Sequence, residues 1–174
     1  MKLEERIADI TDLDFIYGCI LYGARKGHYS FDAENPYLVK SMKKEIQSVV
    51  VKGTLADERL ALASVFFVGL KRIGAMILCE AAPGESSREI YVMSVAKQFQ
   101  NKGYGSQMLN GVLNRLAYVD VYARCSPASE IMNNLLKHRG FRFFSIDNDH
   151  TVLVRDAVCS RDFVEPTYLR RADY

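Results

Sequence analysis

A marked excess of either charge is missing from this 174-residue chain: 23 lysines and arginines stand against 21 acids, a net charge of +2. Without a basic field there is no sequence-independent grip on polyanions, which speaks against nucleic acid as the main partner. Paired cysteines are missing as well. Cys19, Cys79, Cys125 and Cys159 lie far apart with no Cys-x-x-Cys, and His28, His138 and His150 have no ligand spacing. Neither a zinc site nor a disulfide framework is expected from such a pattern. The charged start Met1 to Arg6 lacks the hydrophobic segment of a secretory signal, and the apolar run Leu60 to Leu70 is far too short to span a bilayer. The expectation is a reduced, cytoplasmic protein with no membrane partner and no metal.

What is present is ordinary globular composition, 49% hydrophobic and 25% charged, at a length that suits one domain. Residues 4–10 read as a first strand with Ile7 and Ile10 as its apolar members. Thr11 and Asp14 have the spacing of a capping box ahead of a helix with Leu13, Ile16, Tyr17, Ile20 and Leu21 on one face. Gly27 to Pro36 reads as a loop with exposed aromatics, and Pro36 as the first turn of a second helix that Gly53 stops. From Leu60 the period shortens to that of strands. Leu62–Val68 and Arg72–Cys79 flank Gly69-Leu70-Lys71 as a hairpin, and Glu89–Val95 is the next strand. A helix follows from Tyr104, then a strand over 119–123. Ser126-Pro127 opens a last helix with Ile131, Met132, Leu135 and Leu136 inward, and a hairpin turns at Asp147-Asn148-Asp149. The order is β α α β β β α β α β β over a single domain, residues 1–156. The tail 157–174 has no assignable element; with Phe163, Tyr168, Leu169 and Tyr174 it either caps the core or pairs with another subunit in a homodimer.

The stretch that organises this order is the strand Glu89–Val95 with Gln100-Asn101-Lys102-Gly103-Tyr104-Gly105-Ser106 behind it. A short loop with two glycines at the start of a helix turns N–H groups outward at the positive end of the helix dipole, a seat for phosphate or pyrophosphate. A dinucleotide fingerprint would need a third glycine where Met108 stands, and a P-loop would need its lysine after the glycine rather than at Lys102. A tight turn that uses glycine for steric reasons alone is the remaining plain reading.

Gln100-x-x-Gly103-x-Gly105, followed by a strand–helix unit that ends in Gly140-Phe141, resembles the GNAT superfamily of acetyl-CoA-dependent N-acyltransferases over roughly residues 5–155. The resemblance implies a mixed, mostly antiparallel sheet flanked by helices. It implies that the amides of Gln100, Asn101, Lys102, Gly103, Tyr104, Gly105 and Ser106 hold the pyrophosphate of CoA. The pantetheine arm would pair with main-chain groups of Met93, Ser94 and Val95, in a gap between that strand and residues 119–123. Ser129 stands where many members have a pantetheine-contacting asparagine, and Leu136 where many have a tyrosine that protonates the leaving sulfur.

Transfer to an amine needs a base, because an alkylamine is overwhelmingly protonated at neutral pH. Glu89, fourteen positions before Gly103, has the spacing of the catalytic glutamate in the histone-acetyltransferase branch; Glu80, Asp147 or a water chain are the alternatives. The Val95 N–H would polarise the thioester carbonyl. Cys125 invites an acetyl-cysteine route, but no histidine lies near it in sequence. His28, Tyr29 and Phe31 form a candidate acceptor wall. The implied function is acetyl transfer from acetyl-CoA to a primary amine of a small molecule or peptide. The alternative is an acyl-CoA-binding regulatory or interaction module with little turnover.

Overall fold

A computed structural model describes residues 2–158. Seven strands form one sheet in the order β1-β2-β3-β4-β5-β7-β6. They are β1 (Leu3–Ile7), β2 (Ala61–Val68), β3 (Lys71–Glu80), β4 (Arg88–Val95), β5 (Val121–Cys125), β6 (Arg142–Asp147) and β7 (His150–Arg155), with helices α1 (Leu13–Ala24), α2 (Pro36–Lys52), α3 (Tyr104–Arg115) and α4 (Glu130–Lys137) between them. Every neighbouring pair is antiparallel except β4 and β5, which run parallel. This is the expected element order. Residues 159–174, to which the tail reading mostly applied, lie outside the described residues. Among the described residues no helix is long and apolar enough to cross a membrane.

Each end of α2 follows from its sequence. Asn35 Oδ1 accepts from the N–H groups of Tyr37 and Leu38, Pro36 fills the first position, and Gly53 takes the left-handed conformation beyond the end, at φ 71°. The β6–β7 hairpin turns on Asn148 and Asp149, both at positive φ, a conformation their side chains tolerate better than most. Two cores result. On one face α1 and α2 lay Ile16, Ile20 and Ile46 against Val65, Ile77 and Val92. On the other, α3 and α4 lay Met108, Leu109, Val112 and Leu136 against Val121 and Leu153. Pairing a helix layer with each face is how a half-apolar sheet is buried.

Four expectations need correction. The first strand is Leu3–Ile7, and Ile7 and Ile10 are exposed rather than buried. The capping box is not Thr11–Asp14: Asp9 accepts from Thr11 N–H while Asp12 accepts from Asp9 N–H, two residues earlier. Asp12 is retained there because Arg6 and Arg72 both pair with its buried carboxylate. The strand expected over 119–123 is Val121–Cys125, whose odd residues face the core. Finally, α4 begins at Glu130, not at Ser126, because the Ser126 hydroxyl donates across the cleft to Gly27 O, 2.6 Å, and Ser126–Ser129 closes a turn instead. That delay rotates Ile131 outward, 80% exposed.

Gly74 of β3 keeps β4 in place. A Cβ there would stand 2.4 Å from the Ser94 carbonyl oxygen and 3.1 Å from the Met108 sulfur. Gly74→Ala must therefore push β4 or α3 away, and a loss of roughly 1–3 kcal/mol is expected in urea unfolding.

Candidate functional site

β4 is paired with β5 only at Arg88, Glu89 and Ile90, opposite Val121, Tyr122 and Ala123. Beyond Ile90 the two strands part. The parting coincides with an irregularity on the other edge of β4: Ile77 pairs with Val92 and Leu78 with Ile90, so Tyr91 is one residue too many. A bulge bends its strand and re-aims the residues beyond it. The result is a strand whose outer edge has no neighbour from Tyr91 to Val95 among the described residues.

The direction of each main-chain group on that edge is fixed by its contacts. Ser94 O lies against Gly74 and Ala96 N–H donates to Ile73 O, both on the β3 side. Met93 and Val95 therefore face the gap: Met93 O accepts from the Tyr29 hydroxyl, 3.3 Å, and Val95 O accepts from Gln100 Nε2, 3.0 Å. The gap opens into a cleft of about 1090 Å³ bordered by Met93, Ser94, Val95, Gln100, Asn101 and Gly103 to Ser106, and by Glu89 and Ser129 at its other parts. Of the expected site residues only Lys102 does not line it. Its ammonium donates to Gln98 O, 3.0 Å, and stands over the Phe99 ring.

The glycine loop has the geometry of an anion seat. Asn101 and Gly103 take positive φ, 60° and 77°. α3 has no side-chain cap, and its first helical bond runs from Gln107 N–H to Gly103 O, so the N–H groups of Tyr104, Gly105 and Ser106 precede it. Gly105 lies close against β4: a Cβ there would be 3.6 Å from the Met93 side chain and 3.7 Å from that of Val95. Arg139, at the end of α4, donates to Ser106 Oγ and Asn110 Oδ1 and brings a cation to the helix start. In the sequence Arg139 reads only as one of the basic residues in the last turn before Gly140, with nothing to direct it to the glycine loop.

The opposite end of the cleft is ionic. Glu89 is 4% exposed, and each of its oxygens carries a guanidinium: Arg59 Nη1 at 2.6 Å and Arg124 Nε at 3.0 Å. Arg124 also bonds Asp147 of the β6–β7 hairpin. The apolar strand around Glu89 was expected; its two arginines were not. Arg124 was legible in principle, as the outward-pointing residue between buried Ala123 and Cys125. Arg59 sits in a turn and carries no such signal. Glu80 accepts from Leu60 N–H, 2.8 Å, and does not line the cleft.

The loop between α1 and α2 crosses the cleft as a strap. Besides Ser126 to Gly27, Ser129 Oγ lies 3.1 Å from Ser126 Oγ and 3.2 Å from His28 Nδ1. Tyr29 packs the edge of its ring against Gly23, and burial pushes its phenol well above the usual value, keeping it a neutral donor. Leu136 is fully buried, so no group on α4 replaces the missing tyrosine at that point. Burial also pushes the Cys125 thiol up to about 11.

No family model and no curated protein matches this chain. Solved structures do. A GCN5-related N-acetyltransferase from Kribbella flavida superposes with a TM-score of 0.69 at 14% identity, covering 88% of this chain and 97% of its own. A spermidine N-acetyltransferase from Vibrio cholerae, in complex with CoA and spermine, gives 0.66 at 15%, covering 87% and 92%. RimL, a ribosomal L7/L12 alpha-N-protein acetyltransferase in complex with coenzyme A, gives 0.65 at 15%, covering 90% and 95%. The chain has the GNAT fold. The parting of β4 from β5, the glycine loop and the Gly140-Phe141 close of α4 thus stand in the architecture that the resemblance implied.

Two measurements probe these contacts. Arg59→Met, which strips one partner from a buried carboxylate while Arg124 remains, is expected to cost about 2–3 kcal/mol in urea unfolding, somewhat less than fully orphaning it. Because the Cys125 thiol is raised, its thiolate, the reactive form, is scarce below about pH 11. Peptide mapping after iodoacetamide at pH 8 is expected to find Cys125 unmodified in the folded protein and modified after unfolding in urea.

Proposed function

We propose that the protein is an acetyl-CoA-dependent N-acetyltransferase that moves the acetyl group directly to a primary amine of a small molecule or peptide. The observation that carries this reading is the unpaired edge of β4 beside an uncapped helix start. Fold alone does not fix a function. What this edge offers, however, is specific: one carbonyl and one N–H on each of Met93 and Val95, two residues apart, in line with the amides of Gly103 to Ser106. A long donor with alternating amides and an anionic end fits both features at once. The pyrophosphate of CoA would lie on the amides of the glycine loop, with Arg139 behind them. The amide-bearing arm would take the place of the missing strand at Met93 and Val95.

Acetyl-CoA supplies an acyl carbon activated as a thioester. The chain's own groups do the rest. Val95 N–H would donate to developing negative charge on the carbonyl oxygen. Glu89 is the proposed base. A carboxylate has about four lone-pair sites, of which the two arginines use two, so it retains room to take the amine's proton directly or through a water. With Leu136 buried, no dedicated acid is assigned to the leaving sulfur; thiolate is a tolerable leaving group. Tyr29 remains a neutral hydroxyl in the gap.

The acceptor is proposed only as an amine, since the similar structures act on partners as different as spermidine and a ribosomal protein. The second reading, a CoA-binding module with little turnover, draws on Leu136 and on the pairing of Glu89. Calorimetry and a CoA-release assay over an amine panel separate the two. Gly105→Trp, which fills the space against Met93 and Val95, is expected to abolish CoA binding; binding that survives it would sink the site. Glu89→Gln is expected to lower kcat about 10²–10⁴-fold with little change in CoA affinity. An unchanged kcat would remove Glu89 as the base, and the absence of turnover with any amine despite tight CoA binding would favour the module.

A further inference from the structure

The lining of the cleft has two branches of opposite character. One is ionic, made of Glu89, Arg124, Asp147 and His150. The other is apolar, made of Ile20, Phe31, Met42, Ile46, Tyr91 and Val92. Its inner wall is unusual. Ile20, Met42 and Ile46 border the cleft although none is more than 8% exposed. Side chains that touch a cleft while so little exposed lie at the inner end of a narrow recess, not on an open rim.

The recess is built, not incidental. Met42 and Ile46 stand one turn apart on α2 and present adjacent surfaces. The bulge of β4 frees Tyr91, and its hydroxyl bonds Glu45 Oε1 of the same helix, 3.3 Å, which fixes the ring as one wall. Tyr29 forms the roof, and only a glycine at position 23 leaves room for it, because a Cβ there would stand 2.5 Å from the ring. Cys19 carries no reactive thiolate into this region, since burial pushes its thiol up to about 11.

The two branches suit opposite chemistries. An amine acceptor is a polar, cationic group before it reacts, and it loses least by entering among carboxylates and water. A hydrocarbon chain gains most where Ile20, Met42 and Ile46 are. We propose that the apolar branch is an acyl-chain site and that the protein uses acyl-CoA donors longer than acetyl, of the butyryl to hexanoyl class. This rests on the cofactor reading under the proposed function and changes only the donor's acyl group. The reaction stays balanced: the amine nitrogen bonds the acyl carbon, the carbon–sulfur bond breaks, and the amine's proton passes by way of the base to the sulfur, giving an amide and free CoA.

Binding tests this without knowledge of the acceptor. The full chain is titrated by calorimetry with CoA, acetyl-CoA, butyryl-CoA and hexanoyl-CoA. Each buried methylene is worth about fourfold in affinity, so butyryl-CoA is expected to bind on the order of tenfold tighter than acetyl-CoA. Met42→Phe, which fills the recess, is expected to weaken hexanoyl-CoA tenfold or more and to leave free CoA unchanged; Ile46→Ala, which enlarges it, is expected to move the preference to longer chains. Affinity that is flat or falls with acyl length overturns the proposal, as does a Met42→Phe variant that weakens CoA and hexanoyl-CoA alike. The same holds if acyl-length dependence survives in Met42→Phe while turnover of apolar amines is lost, since the recess would then belong to the acceptor. Failure of CoA itself to bind would instead sink the cofactor reading beneath it.

Discussion

Everything in this molecule that resembles a site depends on one unmade set of hydrogen bonds. β4 pairs with β5 for three residues and then leaves it, so among the described residues the outer main-chain groups of Met93 and Val95 have no strand beside them. Unpaired strand edges are ordinarily blunted or covered, since they invite other chains. Here two side chains supply part of what the missing strand would, Tyr29 to Met93 O and Gln100 to Val95 O. Both are single bonds to carbonyls that can accept a second. The edge is thus lightly capped and still able to pair.

What holds the strands apart lies at the two ends of the gap. At the closed end the buried Glu89 binds Arg59 on one side and Arg124 of β5 on the other, and Arg124 continues to Asp147. Such a chain of charges contributes little to stability for its cost of desolvation, but it fixes the relative positions of β4, β5 and the β6–β7 hairpin. At the open end the strap between α1 and α2 is fastened to the turn before α4 through Ser126, Ser129 and His28. The gap is framed by polar ties and walled by packed apolar residues, an arrangement that sets its width without filling it.

The order of elements was legible because each boundary has a local cause: Asn35-Pro36 and Gly53 around α2, Asn148-Asp149 in the last hairpin, and the short apolar runs either side of Gly69-Leu70-Lys71 in β2 and β3. The glycine loop was legible for the same reason. The start of α4 was not, because Ser126 has the residue type of a cap and spends its hydroxyl on Gly27, ninety-nine positions away. Glu89 could be found from its spacing to Gly103. Arg124 stood out only as an outward-pointing residue of the facing strand, and Arg59, from a turn thirty residues earlier, not at all. Local chemistry is written locally; the electrostatic setting of a buried group is a tertiary property.

That distinction bears on how the two branches of the cleft arise. The bulge at Tyr91 is a local event, one residue more than β3 can match, yet it does two things. It turns β4 away from β5, which opens the edge, and it delivers a ring toward α2, where Glu45 receives it. The side of β4 that looks at α1 and α2 then becomes apolar down to Ile46, while the side that looks at β5 and β6 keeps Arg124 and Asp147. A gap opened by the same bulge between two strands of equal polarity would have one kind of wall. Because α1 and α2 cover only one of these sides, the apolar and the charged lining of the cleft differ in kind.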